Sequence, residues 1–512
     1  MPLRSTRHSG MLKLTQRSVS RTIAMLVAGA MVVASCGGGD DDSSSDTAPA
    51  SDTSPATDPP ATNPPATDPP ATDPPATDPP ATDPPGPTED GVLEVPGEFA
   101  TIQEAVDAAA EGDLVLIAPG TYVEAVDVTT DNLTIRGLDR DGVVLDGQLE
   151  LDNGIRVLGA NGVAVENLTA MNYTNNGVFW VSSTGYRASY VTTYRTGDYG
   201  IYAFDAVGGQ IEYSHTVGSR DAGIYIGQCY PCDAVVNQVI SSNNGLGYSG
   251  TNSGGNLLIV NSTWHNNRAG IVPNSGSYEL CYPERETTII GNLIHDNNQP
   301  DTPAIDVALL AQGNGIVVAG GIANVIERNR IDNHFRTGIG LVPYLEETPN
   351  DDLPTADEWD IPCDQQKQMP IVIPDGPLLW DSYDNVVRDN VVTNSGEADI
   401  ALASVGSDIS TFGNCFSGND ITTSAPFDLQ ELGPCEGEGS GGDWTAGDLG
   451  VFRWLDEQAS LPGEVDWREA PLPDLGAHDN MPDAATAPAH PATDVPFAVD
   501  LDAITVPELP AG

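Results

Sequence analysis

Gly154-Ile155-Arg156-Val157, Gly177-Val178-Phe179-Trp180, Gly200-Ile201-Tyr202-Ala203 and Gly223-Ile224-Tyr225-Ile226 repeat one word, each glycine 23 residues beyond the last. The word returns as Gly270-Ile271-Val272, Gly315-Ile316-Val317-Val318 and Gly338-Ile339-Gly340-Leu341, with Gly247 as a degenerate copy between Gly223 and Gly270. A fixed period of this size marks a solenoid, whose units bury their apolar faces only against one another.

Between the glycines a second apolar segment recurs with an asparagine behind it. Examples are Val163-Ala164-Val165-Glu166-Asn167, Leu257-Leu258-Ile259-Val260-Asn261, Thr288-Ile289-Ile290-Gly291-Asn292 and Val325-Ile326-Glu327-Arg328-Asn329. Short β-branched runs bounded by Gly and Asn read as strands. The repeats predict an all-β chain, a parallel β-helix solenoid with about 23 residues per coil. Stacking at the ~4.8 Å strand spacing would align Ile155, Val178, Ile201, Ile224, Ile271, Ile316 and Ile339 as an inward column. Asn243, Asn244, Asn266, Asn267, Asn297 and Asn298 would occupy turns, where Asn tolerates left-handed backbone and bonds to neighbouring amides. Leucine-rich repeats share the period, but their alternating leucine frame is missing. Ahead of the repeats, Ile102, Ala105, Val106 and Ala109 mark one face of a short helix ended by Gly112.

Twenty Lys and Arg stand against 74 Asp and Glu in 512 residues, a net charge of −54. That field repels nucleic acid and anionic lipid headgroups, so no nucleic-acid partner is expected. Arg4, Arg7, Lys13, Arg17 and Arg21 precede an apolar stretch, residues 23–33, too short to span a bilayer, which reads as a signal peptide over residues 1–35. Residues 36–92 contain repeats of Ala-Thr-Asp-Pro-Pro, a spacer that favours polyproline II over packing. The solenoid is expected over residues 93–436, a capping segment with Trp444, Trp454 and Trp467 over 437–480, and a mobile tail over 481–512.

Two resemblances add to this reading. Val33-Ala34-Ser35-Cys36 resembles the bacterial lipobox, which implies a lipid on Cys36, partnership with a membrane, and location on the outer face of a bacterial membrane or cell surface. The stretch from Thr101-Ile102-Gln103-Glu104-Ala105 through Pro119-Gly120-Thr121-Tyr122-Val123-Glu124, together with Asp221-Ala222-Gly223-Ile224-Tyr225-Ile226-Gly227-Gln228, resembles the right-handed parallel β-helix superfamily of pectate lyases and carbohydrate epimerases. The resemblance covers residues 99 to about 420 and implies right-handed coiling and an N-terminal helix that caps the stack. It identifies a fold better than an activity, because the superfamily holds lyases, hydrolases, epimerases and adhesins.

The period also locates insertions. The interval from Gly270 to Gly315 exceeds one coil by about 22 residues, and a longer excursion runs from 343 to about 379. The Cys229-Tyr230-Pro231-Cys232 turn and the loops bearing Cys281 and Cys363 all leave just after a Gly-Ile strand, so they should form a wall beside that face. Phe179, Tyr202 and Tyr225 fall outward on successive coils as an aromatic stripe that could pack against sugar rings, with Arg156, Arg220 and Gln228 in reach of hydroxyls. The alternative is that the loops cover the stripe as a satellite core. Asp205 and Asp221, beside the stripe, are the first choice of catalytic carboxylates, with His265 as a further acid-base candidate. His265 with Arg268, His295 with Asp296, and His334 with Arg336 are sequence neighbours near turns, and the four body histidines, with His215, show no metal-ligand spacing. No cofactor is evident, and calcium held by carboxylates could supply the positive charge that an elimination reaction needs where lysines and arginines are few.

Six cysteines remain to pair after export. Cys415 with Cys435 is the local pair; Cys229 with Cys232 and Cys281 with Cys363 is one arrangement of the rest, and cross-pairing between loops is another. These readings leave two functions open. One is a surface protein that binds polysaccharide, and as an enzyme would be a lyase, epimerase or glycoside hydrolase; the other is a non-catalytic adhesion or structural module.

Overall fold

A computed structural model describes residues 91–490 and 498–510, apart from residues 356, 357, 360 and 459. The signal segment, Cys36 and the spacer up to residue 90 lie outside the described residues. The chain winds through three parallel sheets of 12, 10 and 11 strands, each coil adding one strand to the first, second and third sheet in turn. The fold is a right-handed parallel β-helix. Among the described residues no helix is long and apolar enough to cross a membrane.

The recurring word builds the third sheet. Ile155, Val178, Ile201 and Ile224 pair in register, as do Ile271, Ile316 and Ile339, and all seven are fully buried, forming the expected inward column. Tyr248 takes the column's place in the degenerate copy, paired with Ile224 below and Ile271 above. The glycine before each column residue sits where the chain turns from the second sheet into the third. A Cβ there would lie 2.5 Å from the next coil's glycine carbonyl at Gly154, 2.7 Å at Gly177, 2.6 Å at Gly200 and 2.4 Å at Gly270. Close approach between coils, and not backbone conformation, requires the glycine.

Asparagines hold the other corners. After the first sheet, Asn292, Asn329, Asn390 and Asn419 form a buried ladder in which each carboxamide accepts from the amide of the coil below. The paired asparagines divide the work. Asn243 and Asn266 take left-handed backbone, while Asn244, Asn267 and Asn297 form a second ladder inside. Asn298 falls one place outside that pattern, because Asp296 holds the left-handed position there. Its side chain bonds to the Asn333 carbonyl and the Phe335 amide instead.

The N-terminal helix Ile102–Ala108 buries Ile102, Ala105 and Val106 and opens with a capping box between Thr101 and Glu104. It ends before Gly112, with Ala109 as its C-cap. The Glu124 carboxylate accepts from the Ile102 and Gln103 amides at 3.1 Å each, which ties the helix to the first coil. The excess between Gly270 and Gly315 is split between two corners. Residues 275–284 leave between the third and first sheets, and residues 296–315, with the helix Asp306–Ala311, leave between the second and third.

The C-terminal segment differs from the expectation of a cap followed by a mobile tail. Trp444 packs beside the last coil, 3.0 Å from the Cβ position of Gly433. The chain then runs back along the solenoid, taking Trp454 to Arg336, Pro462 and Gly463 to Arg268, and Trp467 and Ala470 to Arg195. Farther on, the Met481 amide donates to Asn167, and Arg136 donates to the carbonyls of Ala487 and Pro488. Residues 498–507 lie on the first sheet, where Arg328 and Arg330 donate to carbonyls of Leu501, Ile504 and Pro507. Guanidiniums in a chain of few bases satisfy their fixed forks on tail carbonyls, and this holds a Pro- and Ala-rich segment that has little core of its own.

Candidate functional site

The outward stripe exists in the expected register: Phe179 pairs with Tyr202 and Tyr202 with Tyr225 on adjacent strands. Ring centroids are 4.9 Å apart at both steps. Tyr199 widens the stack at 4.5 Å from Tyr202 and 4.8 Å from Tyr225, and Phe204 lies 5.9 Å from Tyr202 in a parallel plane. Arg156 continues the row at its N-terminal end but is tied to Asp127 at 2.9 Å and Asp152 at 3.5 Å.

Loops cover the stripe from one end. Tyr225 is only 2% exposed and its hydroxyl donates to Glu279 Oε1 at 2.5 Å, Glu279 belonging to the 275–284 insertion. Gln228 accepts from the Leu280 amide at 2.9 Å, so it fastens this loop while half-exposed. Beyond Tyr225, the helices Asp306–Ala311 and Val451–Gln458 supply Ala308, Ala311 and Trp454 to the same outer apolar cluster. Phe179 and Phe204 remain half-exposed. The stripe is therefore half-exposed only at Arg156, Phe179 and Phe204, whereas Tyr202, at 8% exposure, is buried with Tyr199 and Tyr225 in a satellite core.

Disulfides Cys229–Cys232, Cys281–Cys363 and Cys415–Cys435 are formed, which selects the first of the two arrangements. Cys281–Cys363 joins the two corner insertions, and the Cys363 amide reaches the Tyr230 carbonyl of the Cys229–Cys232 turn. The expected wall thus stands along one corner. Lys367 reaches from it to Asp205, whose other oxygen accepts from Ser182 at 3.0 Å.

Asp205 and Asp221 are not brought together. They lie beyond opposite ends of the third-sheet strands, separated by about 17 Å of extended strand, where carboxyls that cooperate in glycoside hydrolysis stand about 5–10 Å apart. His265 lies on another sheet, in the second-sheet strand Thr263–His265, stacked on His295 at 5.1 Å. Arg268 and Arg336 turn away from their histidines to the C-terminal segment, and only His295 with Asp296 forms a pair, at 2.7 Å.

Asp221 instead has Asp198 on the coil below, its amide bonded to the Asp198 carbonyl, with Arg220 beside both and tied to Glu464 at 2.7 Å. Burial, then the neighbouring Asp198 charge, pushes the Asp221 carboxyl up to about 8 against a hydrogen bond from Tyr199, and burial raises Asp198 to about 6. Glu279 is raised to about 8 by burial, with the Asp221 charge adding to it. Its Oε2 is buried without a hydrogen-bond partner. Three carboxyls that burial raises above the ordinary carboxylate range thus border the covered end of the ring stack.

Asp198, Tyr199, Phe204, Glu279 and Lys367 were not singled out from the sequence. The period held the signal for Asp198, because the 23-residue step that relates Gly200 to Gly223 also relates Asp198 to Asp221. Glu279 and Lys367 lie in insertions, outside any period. Among the described residues no three His, Cys, Asp or Glu side chains converge as a metal site.

The family model for a right handed beta helix region matches residues 176–343, the central coils that carry the ring stack. Among curated proteins none matches the sequence. Similar solved structures include the Azotobacter vinelandii mannuronan C-5 epimerase AlgE4 A-module, at 16% identity and TM-score 0.40, over 69% of this chain and 96% of that one. The catalytic unit of a GH87 alpha-1,3-glucanase from Streptomyces thermodiastaticus is similar at 13% identity and TM-score 0.39, over 67% of this chain and 70% of that one. An alginate lyase from Paenibacillus is similar at 15% identity and TM-score 0.31, over 49% of this chain and 90% of that one. By its own three sheets the chain is a parallel β-helix, right-handed as is the family model that its central coils match, with an aromatic row that ends at buried acids.

Proposed function

We propose that this protein binds a polysaccharide across the half-exposed part of the third sheet, with Phe179 and Phe204, packed on the buried Tyr202, as the platform for sugar rings. The carrying observation is the stack of outward rings that runs into Asp198 and Asp221. Aromatic faces suit the apolar faces of pyranoses, and the acids at the edge suit hydroxyls. Arg156, Arg220 and Lys367 are all matched by carboxylates, which favours a neutral glycan over a polyuronate. Burial raises both Asp221 and Asp198, Asp221 the more, and a carboxyl raised in this way is suited to acid catalysis of glycoside hydrolysis.

An array of neutral and acidic polysaccharides, including alginate, mannuronan and α-1,3-glucan, tests this when both new reducing ends and the ultraviolet absorbance of unsaturated products are read. Retention of a neutral glycan with release of reducing ends supports hydrolysis, and unsaturated products from a uronate polymer would sink it. A non-catalytic surface module is the second reading, favoured by the burial of Tyr225 under the 275–284 loop; retention without any product supports it.

The same proposal takes Cys36 as a lipidated residue that tethers the solenoid to an outer membrane face through the spacer. Its support is the charged and apolar pattern ahead of Cys36 and the Pro-rich repeats behind it. Partition of the full chain into detergent, lost in Cys36→Ala, is the expected outcome; equal partition of both would refute the anchor.

A further inference from the structure

Away from the aromatic face, two histidines 263 residues apart meet on the second sheet. His215, at the start of the strand His215–Ser219, points Nδ1 at Nε2 of His478 from the C-terminal segment, 3.1 Å away. Their rings are near perpendicular, at 71° with centroids 5.3 Å apart. Each remaining ring nitrogen is also engaged. His478 Nδ1 lies 2.7 Å from Asp141 Oδ1, and His215 Nε2 lies 3.3 Å from Ser242 Oγ. Asp141 further fixes this part of the segment by accepting from the His478 amide at 2.8 Å.

We propose that His215 and His478 form a two-imidazole site for a divalent transition metal of the zinc or copper class, which clasps the C-terminal segment to the solenoid. Two imidazole nitrogens on one such ion at about 2.0–2.1 Å stand about 2.9 Å apart in a square-planar cis arrangement and about 3.4 Å apart in a tetrahedral one. The observed 3.1 Å falls between the two.

The outer contacts are those that ligating histidines need. A carboxylate on the far nitrogen fixes the tautomer and raises the basicity of the ligating nitrogen, the role Asp141 would have for His478. For His215 the ligating form carries its proton on Nε2, where Ser242 Oγ accepts it, so the proton moves between the two nitrogens of one ring and none is lost. The charge of Arg140 also acts on His215, and its guanidinium donates to Thr192 Oγ1 and the carbonyls of Val191, Tyr213 and Asp479. Water would complete the coordination, which leaves the ion exchangeable. No sequence spacing could show this pair, because one partner comes from a coil and the other from the returning segment.

The test uses the full chain without an affinity tag, stripped with a chelator and dialysed against zinc(II) and, separately, copper(II). The expected result is one exchangeable bound equivalent, copper paramagnetic resonance with coupling to two imidazole nitrogens, and loss of that equivalent in His478→Ala, whose fold is checked by circular dichroism. Asp141→Asn, which keeps both ligands, is expected to weaken uptake about 10–100-fold. No uptake by the native chain, copper spectra without two imidazole nitrogens, or undiminished uptake by a folded His478→Ala protein would each overturn the proposal and leave a plain hydrogen bond between the two rings.

Discussion

Gly270 has no room for a methyl group, since a Cβ would stand 2.4 Å from the Gly315 carbonyl and 2.9 Å from Ile294 Cγ2. Gly270→Ala is expected to cost about 1–3 kcal/mol of stability in denaturant titrations through overpacking, and an unchanged midpoint would show that the coils can separate there. Asn329 tests the ladder in the same way. Its carboxamide accepts from the Asn292 amide and donates to the Asn390 carboxamide and the Ile289 carbonyl. Asn329→Leu should cost about 1–3 kcal/mol because it takes the acceptor from the buried Asn292 amide and the side-chain donor from the Ile289 carbonyl of the coil below. Asp221 and Glu279 set a pH dependence whose sign is unusual for carboxyls. Both are raised in the folded chain, so the folded state holds more protons, and their stabilising contribution is full below about pH 4 and is lost as pH rises through about 8. Denaturation midpoints of the native chain should fall more between about pH 5 and about pH 8 than those of Asp221→Asn, and equal slopes would contradict the burial of the proton. At this scale the sequence was readable wherever a residue serves the repeat. Gly200, Ile201 and Tyr202 each recur with a fixed role, whereas Glu279 and His478 act on partners that no local pattern names.

Among the elements, the corner after the third sheet decides what the aromatic row can do. The expectation that the cysteine-bearing loops gather there held, because a solenoid stacks equivalent corners and each loop leaves at the same point of its coil. How far those loops reach was not legible. Residues 275–284 fold over Tyr225, and the excursion after Val342 returns through the antiparallel pair Tyr344–Glu346 and Leu378–Trp380 while sending Lys367 to Asp205. Insertions have no period, and their course depends on contacts with side chains far away in sequence. The replacement of Cys281 and Cys363 by Ala should speed proteolysis within residues 343–379 while the β-rich circular dichroism of the coils is retained. Simultaneous loss of both would show that this bridge supports the stack and not only the wall.

For the molecule as a whole, the three sheets form one continuous core, and the C-terminal segment laces across it. Arg136, Arg195, Arg268, Arg328 and Arg330 all donate to its carbonyls. The sequence announced a solenoid because its core is periodic, but a Pro- and Ala-rich segment gives no sign that distant arginines will hold it. Removal of residues 461–512 strands several buried guanidiniums, and a fall in Tm of at least about 5 °C is expected; an unchanged Tm would mean that the segment is ornamental. The charge of −54 fits this picture, since the few cations among the described residues are engaged with carboxylates, carbonyls or rings, in line with the neutral glycan proposed above. The most direct test is calorimetric titration of the best-retained polysaccharide into the native chain and into Phe179→Ala, with thermal unfolding of both as control. The account predicts affinity weaker by about tenfold or more, corresponding to ~1.4 kcal/mol from one lost ring face, with the coils still folded; equal affinity for the two proteins would contradict it.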